Sequence, residues 1–304
     1  MRQLKVGVVV VTGDTGPSRA TARWAEIRDL ALHAEALGFD TVWTPDELLW
    51  RPADKPVTGF WEGVAMAGAV AAVTQRIEVG TWVMAALHRN PGLTAKAVET
   101  LDEISAGRFI LGLGAGHTWP GQARAFGLPE DHVYERFEEA LKIIVPLLRA
   151  GHADFEGTWH AARDLDQRPV GPRPGAIPIM LAAHGPKGYG HAARLADIWS
   201  CYAEERSDVS ELGPRVVALE AACAEVGRDP ATIGRSAGVE VAPLARALGV
   251  DAPAGTISGS AEEIADAFRT FSAAGFTRLE LMISPQTIAA LDAMAPVLEL
   301  LDAD

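Results

Sequence analysis

Four places in this chain pair an apolar run with residues able to do chemistry immediately after it. Asp46 and Glu47 follow Thr41 to Thr44; His88 and Arg89 follow Ile77 to Met84; His117 follows Phe109 to Leu113 and the glycines at 112, 114 and 116; and the segment HGPKG, His184 to Gly188, follows Ile177 to Ala182. A carboxylate pair such as Asp46-Glu47 can donate a proton and orient the donor. A histidine at a water-accessible rim, as His117 would be, titrates near neutrality and suits proton transfer; a structural histidine is the competing reading. Thr44 with Glu47 also fits the S/T-x-x-E capping box, so capping competes with catalysis there. His88 and Arg89 precede the helix start Asn90-Pro91, and Arg89 is expected to pair with a carboxylate. In HGPKG the free N–H groups of a glycine-rich helix start, the helix dipole and Lys187 make an anion cage, with Gly185 and Gly188 allowing close approach and Pro186 donating nothing. An ordinary left-handed turn is the alternative, and phosphate is favoured.

The elements that must hold these residues are legible from periodicity. Ile77 to Met84 and Phe109 to Leu113 are near-continuous apolar runs, the pattern of strands buried on both faces. Between them Asn90 caps a helix, Pro91 suits its first position, and Leu93, Ala97, Val98, Leu101 and Ile104 recur at helical spacing until Gly107. That is a βαβ unit, which requires a parallel sheet. Further strands are expected at 5–11, 41–44, 177–182, 197–202, 236–241 and 279–284, alternating with helices at 24–37, 61–74, 135–150, 185–196, 210–226, 261–274 and 286–301. Eight strands in this rhythm match an α/β fold of the (β/α)₈ TIM-barrel class with an insertion after strand four, better than an open doubly wound sheet. The glycines of GLGAGH lack the spacing of a dinucleotide fingerprint; they pack a rim or leave room for a flat ligand. A barrel carries its site at the strand C-termini, where the residues above all fall.

Composition narrows the partners. With 304 residues, 48% hydrophobic, the chain can bury a large core, read here as one domain over 1–304 with its insertion at about 118–175. A net charge of −13 without a Lys/Arg run argues against nucleic acid, so any phosphate must be small and locally caged. Cys201 and Cys223 give neither metal spacing nor a disulfide framework, and the N-terminus shows neither a cleavable signal nor a membrane span. The expectation is a cytoplasmic protein with a small organic substrate, without metal, nucleic acid or membrane, and compatible with a homodimer.

Taken in order, GFDTVWTPDE, RIEVGTWVMAALHRNP, TLDEISAGRFILGLGAGH, RFEEALKIIVPLL, FEGTWH and ARLADIWS resemble the luciferase-like monooxygenase superfamily over nearly the whole chain, and within it the flavin- or deazaflavin (F420)-dependent oxidoreductases. The resemblance implies a TIM barrel that binds coenzyme F420, or alternatively FMN, at the strand C-termini. It implies a bulge with a non-proline cis peptide near Trp82 and Val83, behind the cofactor ring, so that Trp82, Val83, Met84, Gly114 and Gly116 join His184 to Gly188 as cofactor-binding residues. The family's deazaflavin dehydrogenases carry Asp-His after strand two and a glutamate after strand four. Here Asp46-Glu47 and His117 stand in those places, the acid and the histidine exchanged, and His117 is expected to transfer the proton with Glu47 and Asp46 as electrostatic partners. The cysteine and histidine pattern of bacterial luciferase is missing, which argues against light emission. The expected function is hydride transfer between reduced F420 and a small organic substrate; an FMN-dependent monooxygenase and a barrel that binds cofactor without turnover compete with it. Loops around Trp50, Trp61, Trp119 and Trp159 would set the substrate.

Overall fold

The computed structural model describes residues 2–14, 20–53, 56–116 and 121–303. By internal contacts they form two compact units, one of residues 1–10, 25–43 and 180–304, the other of residues 11–24 and 44–179.

The first unit is a parallel sheet with its helices. Its strands are β1 (Lys5–Val9), β2 (Thr41–Thr44, whose last residue belongs to the second unit), β5 (Ile179–Leu181, whose first residue belongs to the second unit), β6 (Ile198–Tyr202), β7 (Gly234–Val241) and β8 (Arg278–Ile283). They pair in parallel in the order β5-β6-β7-β8-β1-β2. Parallel neighbours need crossovers, and helices α1 (Trp24–Leu37), α5 (Gly185–Leu195), α6 (Val209–Glu225), α7 (Ala261–Ala273) and α8 (Ile288–Asp302) supply them. Ser260 begins α7 with a capping box closed by Glu263, each satisfying a backbone N–H of the other residue. Val8, Val42, Leu181, Val239, Leu279 and Leu281 are buried at 2% exposure or less, as strands covered on both faces require.

The second unit holds β3 (Glu78–Thr81, resuming at Met84–Ala85), β4 (Phe109–Gly114) and helices α2 (Gly63–Val73), α3 (Pro91–Ile104) and α4 (Val133–Ala150). Asn90 caps α3 as its sequence implies, its Oδ1 accepting from the N–H groups of Gly92 and Leu93. The buried face of α3 differs from the expected stripe: Leu93 and Ile104 are exposed, whereas Glu99 and Asp102 are buried. The reason is long-range. Glu99 accepts the Gly171 N–H and Asp102 pairs with Arg173, so the helix spends polar side chains holding the segment before β5.

Between β4 and β5, beyond α4, the chain makes an antiparallel hairpin, His152–Glu156 with Ala161–Asp166. Its turn is fastened to α4 by Glu139, whose carboxylate accepts the N–H groups of Thr158, Trp159 and His160. The stretch around Trp50 contains a two-residue ladder of Leu49–Trp50 against Thr58–Gly59, with Trp50 and Phe60 in edge contact at 4.7 Å.

Candidate active site at the strand ends

Asp46 is the centre of the second unit's polar cluster. Its side chain is fully buried. Arg89 grips it bidentately, Nη1 to Oδ2 at 2.6 Å and Nη2 to Oδ1 at 2.7 Å, while the Ala85 N–H donates to Oδ2 at 2.9 Å. Burial by itself would raise the Asp46 pKa, but hydrogen bonds from His88 and Arg89 and the guanidinium charge outweigh it and hold the carboxyl below its usual value. Arg89 is held charged in return, because the bonds and charges of Asp46 and then Glu62 overcome its own desolvation. An ionised carboxylate with this many donors has no proton to give near neutrality. The expected pairing of Arg89 with a carboxylate is this one.

His88 and Gln122 complete the cluster. Gln122 Oε1 accepts the N–H groups of Leu48 and Leu49, both at 2.9 Å, which fixes the amide orientation and turns Nε2 toward His88 Nε2 at 3.3 Å. The amide must donate there, so His88 Nε2 accepts and the ring proton sits on Nδ1, 3.4 Å from Asp46 Oδ2. Gln122 has no motif around it that would mark it in the sequence. The capping reading of Thr44 and Glu47 fails: no helix starts there, and the Thr44 hydroxyl donates to the Gly80 carbonyl. Glu47 is half-buried; His117 lies outside the described residues.

The bulge sits beside this cluster. From Gly80 to Met84, β3 advances four residues while β4 advances three, from Ile110 to Leu113. One residue is therefore extra on β3, the definition of a bulge. The Trp82–Val83 peptide within it is cis, at the position the family resemblance implies. The Trp82 N–H donates to the Thr44 carbonyl at 2.8 Å, and Thr81 Oγ1 bonds both the N–H and the carbonyl of Gly112, which locks the bulge to both neighbours. Trp82 and Val83 are half-exposed, whereas the Met84 side chain is fully buried and belongs to the core. Gly114 ends β4, and Gly116 has φ 110°, a conformation in which a side chain would be strained.

In the first unit, α5 starts at Gly185 directly after β5, with His184 at the N-cap making no side-chain cap bond. Its first N–H groups thus lack a side-chain cap, and His184, Gly185, Pro186 and Lys187 are exposed. Gly188 is buried, and a Cβ there would lie 2.9 Å from the Ala183 carbonyl carbon. Gly188 therefore closes the turn on itself, and a bulky residue there would disturb the fold as well as any ligand.

Sequence reasoning passed over a second polar set in this unit. The Tyr202 hydroxyl donates to Glu240 Oε1 at 2.9 Å, at the C-terminal ends of β6 and β7. Deeper in the same sheet, Glu280 on β8 accepts from Ser236 at 2.5 Å and Ser200 at 3.1 Å, all three buried. Two concavities lie away from the strand C-termini. One of about 360 Å³ is lined by Glu99, Arg149, His152, Asp166 and Arg168 among others, and one of about 100 Å³ by Gln3, Leu4, Arg269, Ser272 and Leu301. Among the described residues no group of three or more His, Cys, Asp or Glu could hold a metal ion, and no helix is long and apolar enough to cross a membrane.

Eight parallel strands alternating with helices, with polar side chains at the strand C-termini, are the pattern of a (β/α)₈ barrel. The fold is shared with an F420-dependent secondary alcohol dehydrogenase solved with an F420-acetone adduct: TM-score 0.81, 18% identity, covering 98% of this chain and 99% of that one. The family model for luciferase-like monooxygenases matches residues 4–246, and the chain belongs to that family. Among curated relatives, an F420-dependent glucose-6-phosphate dehydrogenase of Beutenbergia cavernae is 34% identical over 60% of this chain and 55% of its own length. An F420-dependent hydroxymycolic acid dehydrogenase of Mycobacterium tuberculosis is 31% identical over 67% of this chain and 55% of its own. The chain thus matches little more than half the length of these relatives.

Proposed function

We propose that the protein is an F420-dependent oxidoreductase that transfers hydride between the deazaflavin and a small organic substrate. The observation that carries this reading is the constancy of the cofactor: F420 is named for the glucose-6-phosphate dehydrogenase and for the hydroxymycolic acid dehydrogenase, whose substrates differ. The chain's own residues fit such a group. The α5 start without a side-chain cap, with exposed Lys187 beside it, suits an anionic tail, and the half-exposed Trp82–Val83 bulge offers a surface to a flat ring. When bound, the deazaflavin would supply the hydride chemistry, and the protein would supply orientation and a proton.

In this reading Asp46, locked by Arg89 and the Ala85 N–H, holds the ends of β2 and β3 and supplies a fixed negative charge. His117 transfers the proton, with Glu47 as its partner. In the same reading residues 1–304 form a single domain with an insertion at about 118–175. The net charge supports small-molecule partners rather than nucleic acid, and two buried cysteines without a disulfide support a cytoplasmic setting.

The test is a spectral titration of the purified protein with F420 and, separately, FMN, each oxidised and reduced. Saturable binding of F420 with weaker or no binding of FMN is the expected outcome; FMN binding without F420 binding would replace the reading with the flavin alternative.

A further inference from the structure

A carboxylate on the buried face of a helix needs partners for both of its oxygens, because taking it out of water is otherwise costly. Glu99 of α3 is only 4% exposed, and one of its oxygens is answered: Oε2 accepts the Gly171 N–H at 2.8 Å. Among the described residues Oε1 accepts no hydrogen bond and Glu99 forms no ion pair. Oε1 is also not one of the sealed, unpartnered side-chain atoms, so it opens on the cavity of about 360 Å³ that Glu99 lines. The neighbouring charges on α3 are spent elsewhere. Lys96, one helical turn before Glu99, donates to the Arg168 carbonyl, and Asp102, one turn after it, is paired with Arg173.

The residues lining this cavity all belong to the second unit. Its deep side is negative. Helix α4 runs for 18 residues and ends against the cavity at Ala150 and Gly151, so the negative end of its dipole adds to Glu99. Its outer side carries a positive group: Arg168 lines the cavity, is exposed, and has no side-chain partner among the described residues. The other charged groups of the lining are already matched. Arg149 donates to the Gly175 and Ile177 carbonyls at 3.3 and 2.8 Å, and His152 pairs with Asp166 at 3.0 Å. Leu147 and Val170 add an aliphatic wall.

We propose that this cavity is a binding site for a small zwitterionic amino acid, its ammonium on Glu99 Oε1 and its carboxylate on the Arg168 guanidinium. One carboxylate oxygen and one guanidinium are left unmatched in the same cavity without pairing with each other, and a ligand that carries both charges answers both. An ammonium brings the donors that Oε1 and the end of α4 call for. The guanidinium fork matches a carboxylate in turn. The volume falls in the range of small-molecule sites, about 300–1,000 Å³. No bond is made or broken there. The site lies away from the strand C-termini and is independent of the hydride-transfer reading above.

The experiment is calorimetric titration of the full chain with two zwitterions of different charge spacing, L-leucine and 5-aminopentanoate, and with the two halves of the latter, pentylamine and pentanoate. The expected result is saturable binding of at least one zwitterion. Pentylamine, which keeps only the Glu99 contact, is expected to bind about two- to fivefold more weakly, and pentanoate about tenfold or more. The same losses are expected for the zwitterion in Arg168→Gln and in Glu99→Gln, respectively. Glu99→Gln retains an acceptor for the Gly171 N–H and Arg168 is exposed, so both variants should melt with the parent. If Glu99→Gln melts lower, Arg168→Gln carries the test. Absence of saturable binding by either zwitterion overturns the site and leaves the cavity to water. Either half binding as tightly as the zwitterion overturns the ligand class, and zwitterion binding unchanged in Arg168→Gln overturns the placement. None of these outcomes touches the F420 titration, so the proposed function stands or falls separately.

Discussion

At the scale of single residues, Asp46 illustrates how a side chain's environment decides its role. Its native pKa lies below its ordinary value, so the folded state holds fewer protons than the unfolded chain as the pH approaches 4 from above. The Asp46–Arg89 pair therefore contributes its full stability above about pH 4 and loses it progressively as the pH falls further. Asp46→Asn should lower stability at pH 7 by about 3 kcal/mol, because Arg89 is left partly buried with only the more exposed Glu62 as its carboxylate, and the gap to the parent should narrow below about pH 4. Denaturant midpoints between pH 3 and 7 measure both effects. The proposed proton-transfer pair behaves differently. His117→Ala and Glu47→Gln should cut turnover by on the order of 10² to 10⁴ and reshape the pH profile while leaving F420 affinity nearly unchanged. Variants that match the parent on every substrate the parent turns over would show these residues to be structural.

At the scale of elements, the start of α5 is where backbone chemistry and packing must be separated. The Cβ position of Gly188 is occupied by the Ala183 backbone, so Gly188→Val confounds folding with binding. Lys187 is exposed, and its removal tests the anion cage without crowding the Ala183 backbone. A cation beside a helix N-terminus contributes on the order of 0.5–1 kcal/mol to holding a surface anion. Lys187→Ala should thus weaken F420 binding by about two- to fivefold, with an unchanged melting temperature. An unaltered dissociation constant would take the anionic tail elsewhere.

At the scale of the whole molecule, binding and stability are linked. A cofactor that binds only the folded chain stabilises it by about 2.7 kcal/mol at a hundredfold excess over its dissociation constant. For a chain of this length that corresponds to a rise in melting temperature of about 4 °C. F420 should produce that rise and FMN at the same concentration a smaller one; thermal scans with the two cofactors in parallel decide between them.

The sequence by itself determined what depends on neighbours along the chain. Alternating and helical periodicities placed β2 and α1 to the residue and the other barrel strands within two residues at most ends, because burial on both faces of a strand, or one face of a helix, writes a period into the residues themselves. Asn90-Pro91 announced the start of α3 because capping is a local bond. The bulge at Trp82–Val83 was legible only through the family resemblance. What the tertiary structure decided are bonds between residues far apart in the chain: Gln122 to Leu48 across 74 positions, Arg89 to Asp46 across 43, Tyr202 to Glu240 across 38. None leaves a spacing pattern. Whether Asp46 is a proton donor or a locked anion, and whether Glu99 and Asp102 face solvent or the segment before β5, depends on partners that only folding delivers, since a carboxylate's pKa and burial are properties of its surroundings.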